Sequence, residues 1–550
     1  MIRNLPRIAV MLHVAFIAIY LAWLRGGTVP DHYGPIPWLS LFLIEMILLF
    51  PVLKKGETDA MGRTRVVRSL LTDPILYLGL GFLLFVGIQC WNGPCTLFRD
   101  VEAGRWRYTD PPYPGWPFSV NREEAGHMLY WFAPVYAVIL AMRHGLSRKA
   151  KMNLLRVLIA SSALLSLFGI VQFASGTDKM YWVTPIGTQF FASFGYPNHA
   201  GSYFTLAFAI SVGVLLQDLS ASENKPPAAW IAVCAACVVL NLLGATLSLC
   251  RAAILLSWAI ALFALVFGSL YLAPLLTRAM KLRMGVSLFI GIGIALFLFF
   301  VAYPRNPVQK ELGTLFTKIQ GKAATAETVQ GGQNAAAQEA DAATWHFDNP
   351  FGKDRRRLAK AAVDIWQDYP WTGVGGWGFR HHVGLYVPKS DWKSLRTFGR
   401  ANVHNDALQY LCEHGIIGSG LLLGTVIVLL VPFWNRLIRA LLKKPDDEEA
   451  YRSAIFRVSP VAWFLLIGTL AVVVHSLIDL PFRCPAILVL WFICLCTMTS
   501  VLPKPKPRAA EAEGSRGEPR RRHRSHRRSK GGASNSAPAP QAPQDDEPDA

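Results

Sequence analysis

The sequence predicts an all-α polytopic membrane protein with about 12 transmembrane helices. Of its 550 residues, 52% are hydrophobic and only 17% are charged. The apolar residues occur in uninterrupted blocks of roughly 17–25 residues, the length that crosses a bilayer as a helix. Helix is the expected structure of each block, because backbone polar groups cannot stay unpaired in lipid.

Each of these apolar blocks is a candidate membrane span. The boundaries are least defined at the short fourth span and between the seventh and eighth, which are nearly fused. The twelve candidates lie near residues 6–24, 37–53, 73–91, 128–142, 154–174, 199–216, 229–249, 252–276, 285–303, 416–434, 459–477 and 483–501.

Lys and Arg in the short loops predict the orientation of the chain. They concentrate in every second loop, as between residues 54–68, 143–151, 278–283 and 436–457. Because such loops stay in the cytoplasm, we expect both termini there. The net charge of +19 lies largely in these loops and in one tail. It therefore indicates a lipid bilayer as partner and does not predict nucleic-acid binding.

The same pattern divides the chain into four parts. Residues 1–303 hold the first nine spans, 304–415 form a large extracytoplasmic loop, and 416–501 hold the last three spans. Residues 502–550 are basic and poor in apolar residues, which predicts a disordered cytoplasmic tail. In the large loop, apolar residues at helical spacing predict a helix over 355–369. The loop's other apolar residues are dispersed, so we expect a lid of short helices without a separate core.

Four polar clusters would lie at the outer face under this topology. They contain Asn198 at the start of the sixth span, Arg251 between two apolar runs, Arg355 opening the loop helix, and His404 with Asn405. Each has a purely structural alternative: a helix cap at Asn198 and His404, an interfacial anchor at Arg251, and an exposed charged face at Arg355. Asp479, near the end of the eleventh span, is a candidate functional residue because acids inside a membrane usually have a function, but it lies close enough to the surface to be only a hydrogen-bond partner.

These side chains suit one kind of chemistry. Guanidinium groups hold phosphate oxygens in bidentate fashion and stay charged. A histidine can accept a proton from an attacking hydroxyl. We see no metal-ligand set, P-loop or dinucleotide fingerprint, so no metal and no cofactor are predicted. The combination favours transfer of a group that is already activated as a lipid diphosphate.

The stretch HNDALQYLCEHGIIG resembles the O-antigen ligase and O-antigen polymerase superfamily. It contains a histidine and an amide, His404 and Asn405, then nine residues, Gly415, two residues and Gly418. Arg251 with Leu255 is similar to the family's Arg-x-x-x-Leu element. The run RRRLAKAAVDIWQDYPWTGVG is similar to its segment of arginine, helix, proline and Gly-x-Gly. FGYPNHAG is similar to its Asn-Pro-Asn region, with a tyrosine where the first asparagine is usual.

The resemblance implies a membrane glycosyltransferase of the GT-C type. It would move a glycan from undecaprenyl diphosphate to a hydroxyl of a glycolipid or other acceptor at the periplasmic face of a bacterial inner membrane, with inversion at the anomeric carbon. His404 would be the general base, and Arg251 and Arg355 would contact the diphosphate, although Arg356 or Arg357 could replace Arg355. Substrate contacts are also expected at Asn198 and Asn405.

Three other functions remain open at this point. The motifs of ligases overlap with those of polymerases that join lipid-linked repeat units. A transporter is a third possibility, disfavoured because the conspicuous polar groups lie at one face and not near mid-membrane. A protein O-oligosaccharyltransferase would differ only in its acceptor.

Overall fold

The computed structural model is mostly helical. It describes residues 5–29, 34–51, 53, 56–94, 97–100, 105–186, 189–221, 226–273, 353–387, 402–442 and 454–502. The helices, in chain order, are α1 Leu5–Trp23, α2 Ile36–Leu49, α3 Asp59–Leu71, α4 Pro74–Trp91, α5 Arg122–Leu140, α6 Arg148–Ala174, α7 Pro197–Leu219, α8 Ala228–Leu247, α9 Arg251–Leu272, α10 Lys353–Asp368, α11 Gly378–His382, α12 Asp406–Leu442, α13 Pro460–Ser476 and α14 Pro485–Val501.

The helices confirm a polytopic helical membrane protein. In the described parts of the chain, 7 helices are long and apolar enough to cross a bilayer, namely α4 to α9 and α12. Four shorter apolar helices, α1, α2, α13 and α14, match further predicted spans. The predicted ninth span, 285–303, lies outside the described residues. The number of twelve spans therefore stays a prediction.

Local sequence signals set where the helices begin. α4, α7, α13 and α14 each start with proline at the first helical position, where its missing N–H removes no intrahelical hydrogen bond. Asp73 caps α4 by accepting from the amide of Ile75 at 3.0 Å. Ser147 caps α6 in the same way. These caps satisfy amides that the first turn of a helix leaves without partners.

Two helices lie at the centre of the bundle. Nearly every residue of α7 and of α14 is buried, and α7 packs against α8 and α13. Small residues permit the close approach: a side chain on Gly213 of α7 would collide with Phe464 of α13. Because lipid does not drive apolar helices together, such close packing is what holds them. The later turns of α7 are thereby held close to α13.

The described part of the large loop packs on the start of α12. The helix predicted over 355–369 is present as α10, and Leu358, Ala362 and Ile365 on its inner face are buried. They join a compact apolar cluster with Phe379 and Val383. The cluster also contains Val120, from the segment before α5, and Cys412 of α12, so the expectation of a loop without a core of its own stays a prediction.

Helix α12 begins at Asp406, ten residues before the span predicted at 416. Its first turns are polar, yet Asp406, Gln409 and Glu413 are buried. These side chains face protein rather than lipid. A prediction from hydropathy alone therefore places the start of this helix too late. The helix is interrupted at Gly415, whose φ of 60° and ψ of −167° are not helical.

The segment after α10 fills this interruption. The carbonyls of Pro370 and Trp371 accept from the amides of Ile416 and Ile417, at 2.8 and 3.1 Å. In return, the amide of Gly375 donates to the carbonyl of Glu413 at 2.8 Å. Backbone groups that the break would leave unpaired are thus satisfied from another part of the chain. A side chain at position 415 would collide with the Trp371 backbone.

Two short hairpins depart from the predicted all-α fold. β1 (Leu97–Asp100) pairs with β2 (Arg105–Tyr108), and β3 (Lys179–Met180) pairs with β4 (Thr184–Pro185), both antiparallel. Each has two strands, so the molecule remains helical in its architecture. The tail that was predicted to be disordered, beyond residue 502, lies outside the described residues.

Candidate active site

A polar cluster surrounds Asp479 in the short loop between α13 and α14. The carboxylate is 3% exposed. The Tyr196 hydroxyl donates to it at 3.0–3.1 Å, and the Asn198 amide also donates to it. The backbone amide of Leu480 donates at 2.8 Å. The loop before α7 and the loop after α13 are therefore joined at one buried charge.

An imidazole and a guanidinium group approach the same carboxylate. Nδ1 of His404 lies 3.7 Å from Oδ1 of Asp479, and a guanidinium nitrogen of Arg355 lies 4.0 Å from Oδ2. Both separations are longer than a hydrogen bond. Burial acts to raise the pKa of Asp479, but the His404 imidazole, with His475 and Arg355, outweighs burial and holds the pKa below its usual range. The carboxylate therefore stays charged at neutral pH.

Tyr196 supplies a proton donor to this carboxylate. Burial, and next the charge of Asp479, raise the pKa of Tyr196 well above its usual value. The phenol therefore stays protonated and donates a hydrogen bond to the Asp479 carboxylate. Tyr196 stands where the resembled family usually has the first asparagine of its Asn-Pro-Asn pattern. Its hydroxyl also accepts a hydrogen bond from the Asn198 amide at 2.8 Å.

His404 sits two residues before α12 in an uncommon backbone conformation. Its φ of 54° is positive, which is costly for a residue with a side chain and persists only when neighbours enforce it. Asn405 does so: its side-chain oxygen accepts from the Leu408 amide at 3.0 Å, and its amide donates to the Leu477 carbonyl at 3.0 Å. Asn405 is therefore the helix cap, a role that the sequence left open for His404.

His404 is thus held at the edge of the cluster with one nitrogen turned inward. Nδ1 is buried and forms no hydrogen bond with any described residue, while the side chain as a whole is 22% exposed. Because Nδ1 faces Asp479, the other ring nitrogen, Nε2, is the one available to a ligand.

Arg355 reaches the cluster from the first turn of α10. It donates to the carbonyl of Ile478, next to Asp479. Its side chain is 13% exposed, and its buried Nε has no hydrogen-bond partner in the part of the chain that the structure describes. An unpaired buried guanidinium N–H is costly, so an acceptor at this position would be favoured. Arg356 and Arg357 are more exposed than Arg355, which favours Arg355 among the three.

Arg251 is the first residue of α9, at the edge of the cluster. The thiol of the preceding residue, Cys250, lies 3.6 Å from Nε2 of His475. Nδ1 of His475 in turn lies 2.6 Å from the hydroxyl of Ser202, in the first turns of α7. A side chain on Gly201 would collide with Cys250 and Ala253, so the starts of α7 and α9 are in direct contact.

A second buried ion pair supports the turn that carries His404. Arg483, 2% exposed on its side chain, pairs with Glu413 of α12, which is fully buried. The guanidinium lies over the rings of Trp377 and Tyr410, at 4.7 and 4.6 Å. Gln409 donates to the same carboxylate at 2.9 Å. No local sequence pattern predicts this pair, because its partners are 70 positions apart.

The loop after α13 is also fastened to α12 by its backbone. The Phe482 amide donates to Asp406 at 2.9 Å, and the Phe482 carbonyl accepts from the Tyr410 hydroxyl at 3.1 Å. Asp479 and Arg483 are therefore both held against the first turns of α12. Across the described residues, no group of three or more His, Cys, Asp and Glu side chains could hold a metal ion.

Residues 227–423 match the family of O-antigen ligases, Wzy_C. The match confirms the resemblance to the O-antigen ligase superfamily. It covers slightly more than a third of the chain, from α8 into α12, and includes Arg251, Arg355 and His404. No curated protein matches the chain in a sequence comparison.

The O-antigen ligase domain indicates the general activity. Its family implies a glycosyltransferase-type enzyme that acts on lipid-linked glycans in a membrane. The structure brings Asn198, Arg355, His404 and Asn405 to one cluster, with Arg251 at its edge. Asn198 and Asp479 belong to the cluster although they lie outside the matched residues.

Proposed function

We propose that the O-antigen ligase domain transfers a glycan from undecaprenyl diphosphate to a hydroxyl of a glycolipid acceptor at the periplasmic face of a bacterial inner membrane. One observation carries this proposal. Three separate stretches of chain bring a partly exposed imidazole, and a guanidinium whose Nε has no hydrogen-bond partner among the described residues, to a single buried carboxylate. A base beside a phosphate-binding group is what transfer from a lipid diphosphate requires.

His404 is proposed to act as the general base. The acceptor oxygen attacks the anomeric carbon, its proton passes to Nε2 of His404, and the bond from that carbon to the diphosphate oxygen breaks. The electron pair leaves with undecaprenyl diphosphate. Direct displacement inverts the anomeric carbon. Asp479, 3.7 Å from Nδ1, stabilises the imidazolium that forms, as a carboxylate does beside a catalytic histidine.

The arginines are proposed to stabilise the leaving diphosphate. Arg355 offers Nε, which has no hydrogen-bond partner among the described residues, and Arg251 lies at the first turn of a neighbouring helix. Charge builds on the leaving oxygens as the bond breaks, and fixed guanidinium groups stabilise that charge. We propose that no metal ion is needed.

The two asparagines are proposed to differ in role. Both polar atoms of the Asn405 amide are bound within the protein, so Asn405 positions His404. The Asn198 amide nitrogen is bound to Tyr196 and Asp479. Its side-chain oxygen is left to accept from a substrate hydroxyl.

The test is glycan transfer by the full-length protein in detergent. The assay contains a lipid-diphosphate glycan, a lipid-core acceptor and EDTA, without nucleotide. The wild type should attach one donor chain to the acceptor. His404→Ala should lower the rate by about 10²–10⁴-fold, the usual contribution of a general base. His382→Ala, a histidine of α11 outside the cluster, should retain activity.

Other products would change the conclusion. Longer lipid-linked chains without use of the acceptor would identify a polymerase. Transfer to a protein would identify an O-oligosaccharyltransferase. Full activity of His404→Ala would refute the role of the histidine, and wild-type activity that appears only when EDTA is left out would refute the metal-independent reaction.

A further inference from the structure

A basic cavity lies at the opposite end of the bundle from the Asp479 cluster. It has a volume of about 350 Å³ and is lined by residues of α3, α6, α12 and α14 and of the turn that follows α5. α14 starts beside Arg483 and reaches this cavity at Thr499, about 20 Å farther along at 1.5 Å per residue. The distribution of Lys and Arg predicts that this end faces the cytoplasm. The cavity therefore cannot be part of the proposed transfer site.

Three cationic side chains line the cavity, but the described residues supply carboxylate for only one of them. Asp73 binds Arg143 at 2.6 and 3.1 Å and also binds His144 at 2.8 Å. Lys151 donates to the carbonyl of Cys496 at 3.1 Å. Arg436, similarly, donates to the carbonyl of Thr499 at 2.8 Å. Within the described ranges, the charges of Lys151 and Arg436 are thus met only by neutral carbonyl groups.

Lys151 does not fit the usual explanation for cations at a membrane surface. Such side chains extend their charge into water and anchor the helix at the interface. Lys151 is instead 7% exposed and points inward at the last turns of α14. The negative end of the α14 dipole offsets part of its charge, but only the equivalent of about half an elementary charge. A buried charge without a counter-ion is costly.

The remaining lining of the cavity indicates what kind of anion would fit. The hydroxyl-bearing side chains of Ser69 and Thr499 add hydrogen-bonding groups, and Leu429 and Leu495 add an apolar wall. Guanidinium and ammonium groups together are suited to phosphate oxygens. Basic pockets between transmembrane helices on the cytoplasmic side bind phospholipid head groups in other proteins. An apolar wall beside the cations suits a phosphate that carries acyl chains.

We propose that this cavity binds the phosphate head group of an anionic phospholipid, with Lys151 and Arg436 as the principal contacts. The head group supplies the negative charge that the described residues lack. The lipid would brace the ends of α6, α12 and α14 at the face opposite the active site.

The experiment measures binding of phosphatidylglycerol to the full-length protein in detergent. Native mass spectrometry counts bound lipid, and thermal unfolding gives the stabilisation. Phosphatidylcholine and inorganic phosphate serve as the two comparison ligands. The wild type should bind phosphatidylglycerol selectively. Lys151→Met and Arg436→Gln should each weaken that binding about fivefold, since a cation near anionic lipid contributes about 1 kcal/mol.

A matched control separates site binding from general attraction. Arg439→Gln removes one charge from the same helix as Arg436, at an exposed position, and should leave the affinity unchanged. Equal weakening by Arg439→Gln would show attraction to the surface as a whole and overturn the proposal. Stabilisation by inorganic phosphate equal to that by phosphatidylglycerol would assign the site to a soluble anion instead. If the wild type bound phosphatidylcholine as tightly as phosphatidylglycerol, this result alone would overturn the proposal.

Discussion

Asp479→Asn is the substitution that tests the proposed site most directly. It keeps the shape of the side chain but removes the charge that faces His404 across 3.7 Å. Two unit charges at that distance interact by about 4 kcal/mol at an effective dielectric constant of roughly 20. A barrier higher by that amount corresponds to a rate about 10³-fold lower, because about 1.4 kcal/mol is tenfold. Proton transfer is incomplete in the transition state, so we expect a loss in kcat of about 10²–10³-fold.

The assay is single-product glycan transfer at saturating donor, with kcat and KM measured separately. KM for the donor should change little, since the arginines remain. Asp218→Asn is the matched control: this carboxylate is also buried, held by Arg156 at 2.5 Å and Trp230 at 2.8 Å. Its kcat should stay within about threefold of the wild type.

Thermal unfolding of both variants shows whether lost activity reflects lost structure. Asp479→Asn leaves the Tyr196 and Asn198 donors facing an amide, and each weakened charge-assisted bond costs about 1.5–3 kcal/mol. A folded Asp479→Asn protein with wild-type kcat would refute the reasoning. The imidazolium would then need no carboxylate, and the 3.7 Å approach would be incidental.

Three further outcomes are expected. Tyr196→Phe removes one donor to Asp479 and should lower kcat by about tenfold or less, because the Asn198 donor remains. Gly415→Ala should destabilise the protein by several kcal/mol in thermal unfolding, since the backbone there has positive φ and the new methyl group collides with Trp371. Asp73→Asn should flatten the fall in stability between about pH 4 and pH 2.

The reason for the last expectation is a lowered pKa. Burial acts to raise the pKa of Asp73, but hydrogen bonds from His144 and Arg143 lower it to about 2. A carboxylate with a lowered folded pKa contributes stability above its unfolded pKa. That contribution is lost as the pH falls through the folded pKa. Identical acid limbs for wild type and Asp73→Asn would contradict this account.

Controls are available for the other two substitutions. Gly420→Ala lies in the same helix as Gly415, in open space, and should be neutral or slightly stabilising. Tyr113→Phe affects a half-exposed tyrosine outside the cluster and should leave kcat unchanged. If Gly420→Ala destabilised as much as Gly415→Ala, the interruption of α12 would not be the cause.

The sequence determined the parts of this protein that depend on local physics. Long apolar runs became helices because lipid leaves the backbone no other partner. Pro197, Asp73 and Ser147 marked helix starts because proline and capping side chains act within one turn. The stretches that carry Arg355 and His404 could be chosen because guanidinium and imidazole groups suit phosphate binding and proton transfer, and because their spacing resembles that of a known family.

Only the tertiary structure decided which of these stretches meet. Asp479 joins Tyr196 from 283 positions away, and no local pattern encodes that pairing. The requirement for glycine at position 415 likewise depends on another segment. The backbone of Trp371 packs into the break in α12 and leaves no room for a side chain there. From the sequence, Asp406 and Glu413 were expected at the end of a polar loop. In the structure both belong to α12 and are buried against the loop after α13. Contacts distant in the chain arise from packing, which hydropathy and capping rules do not describe.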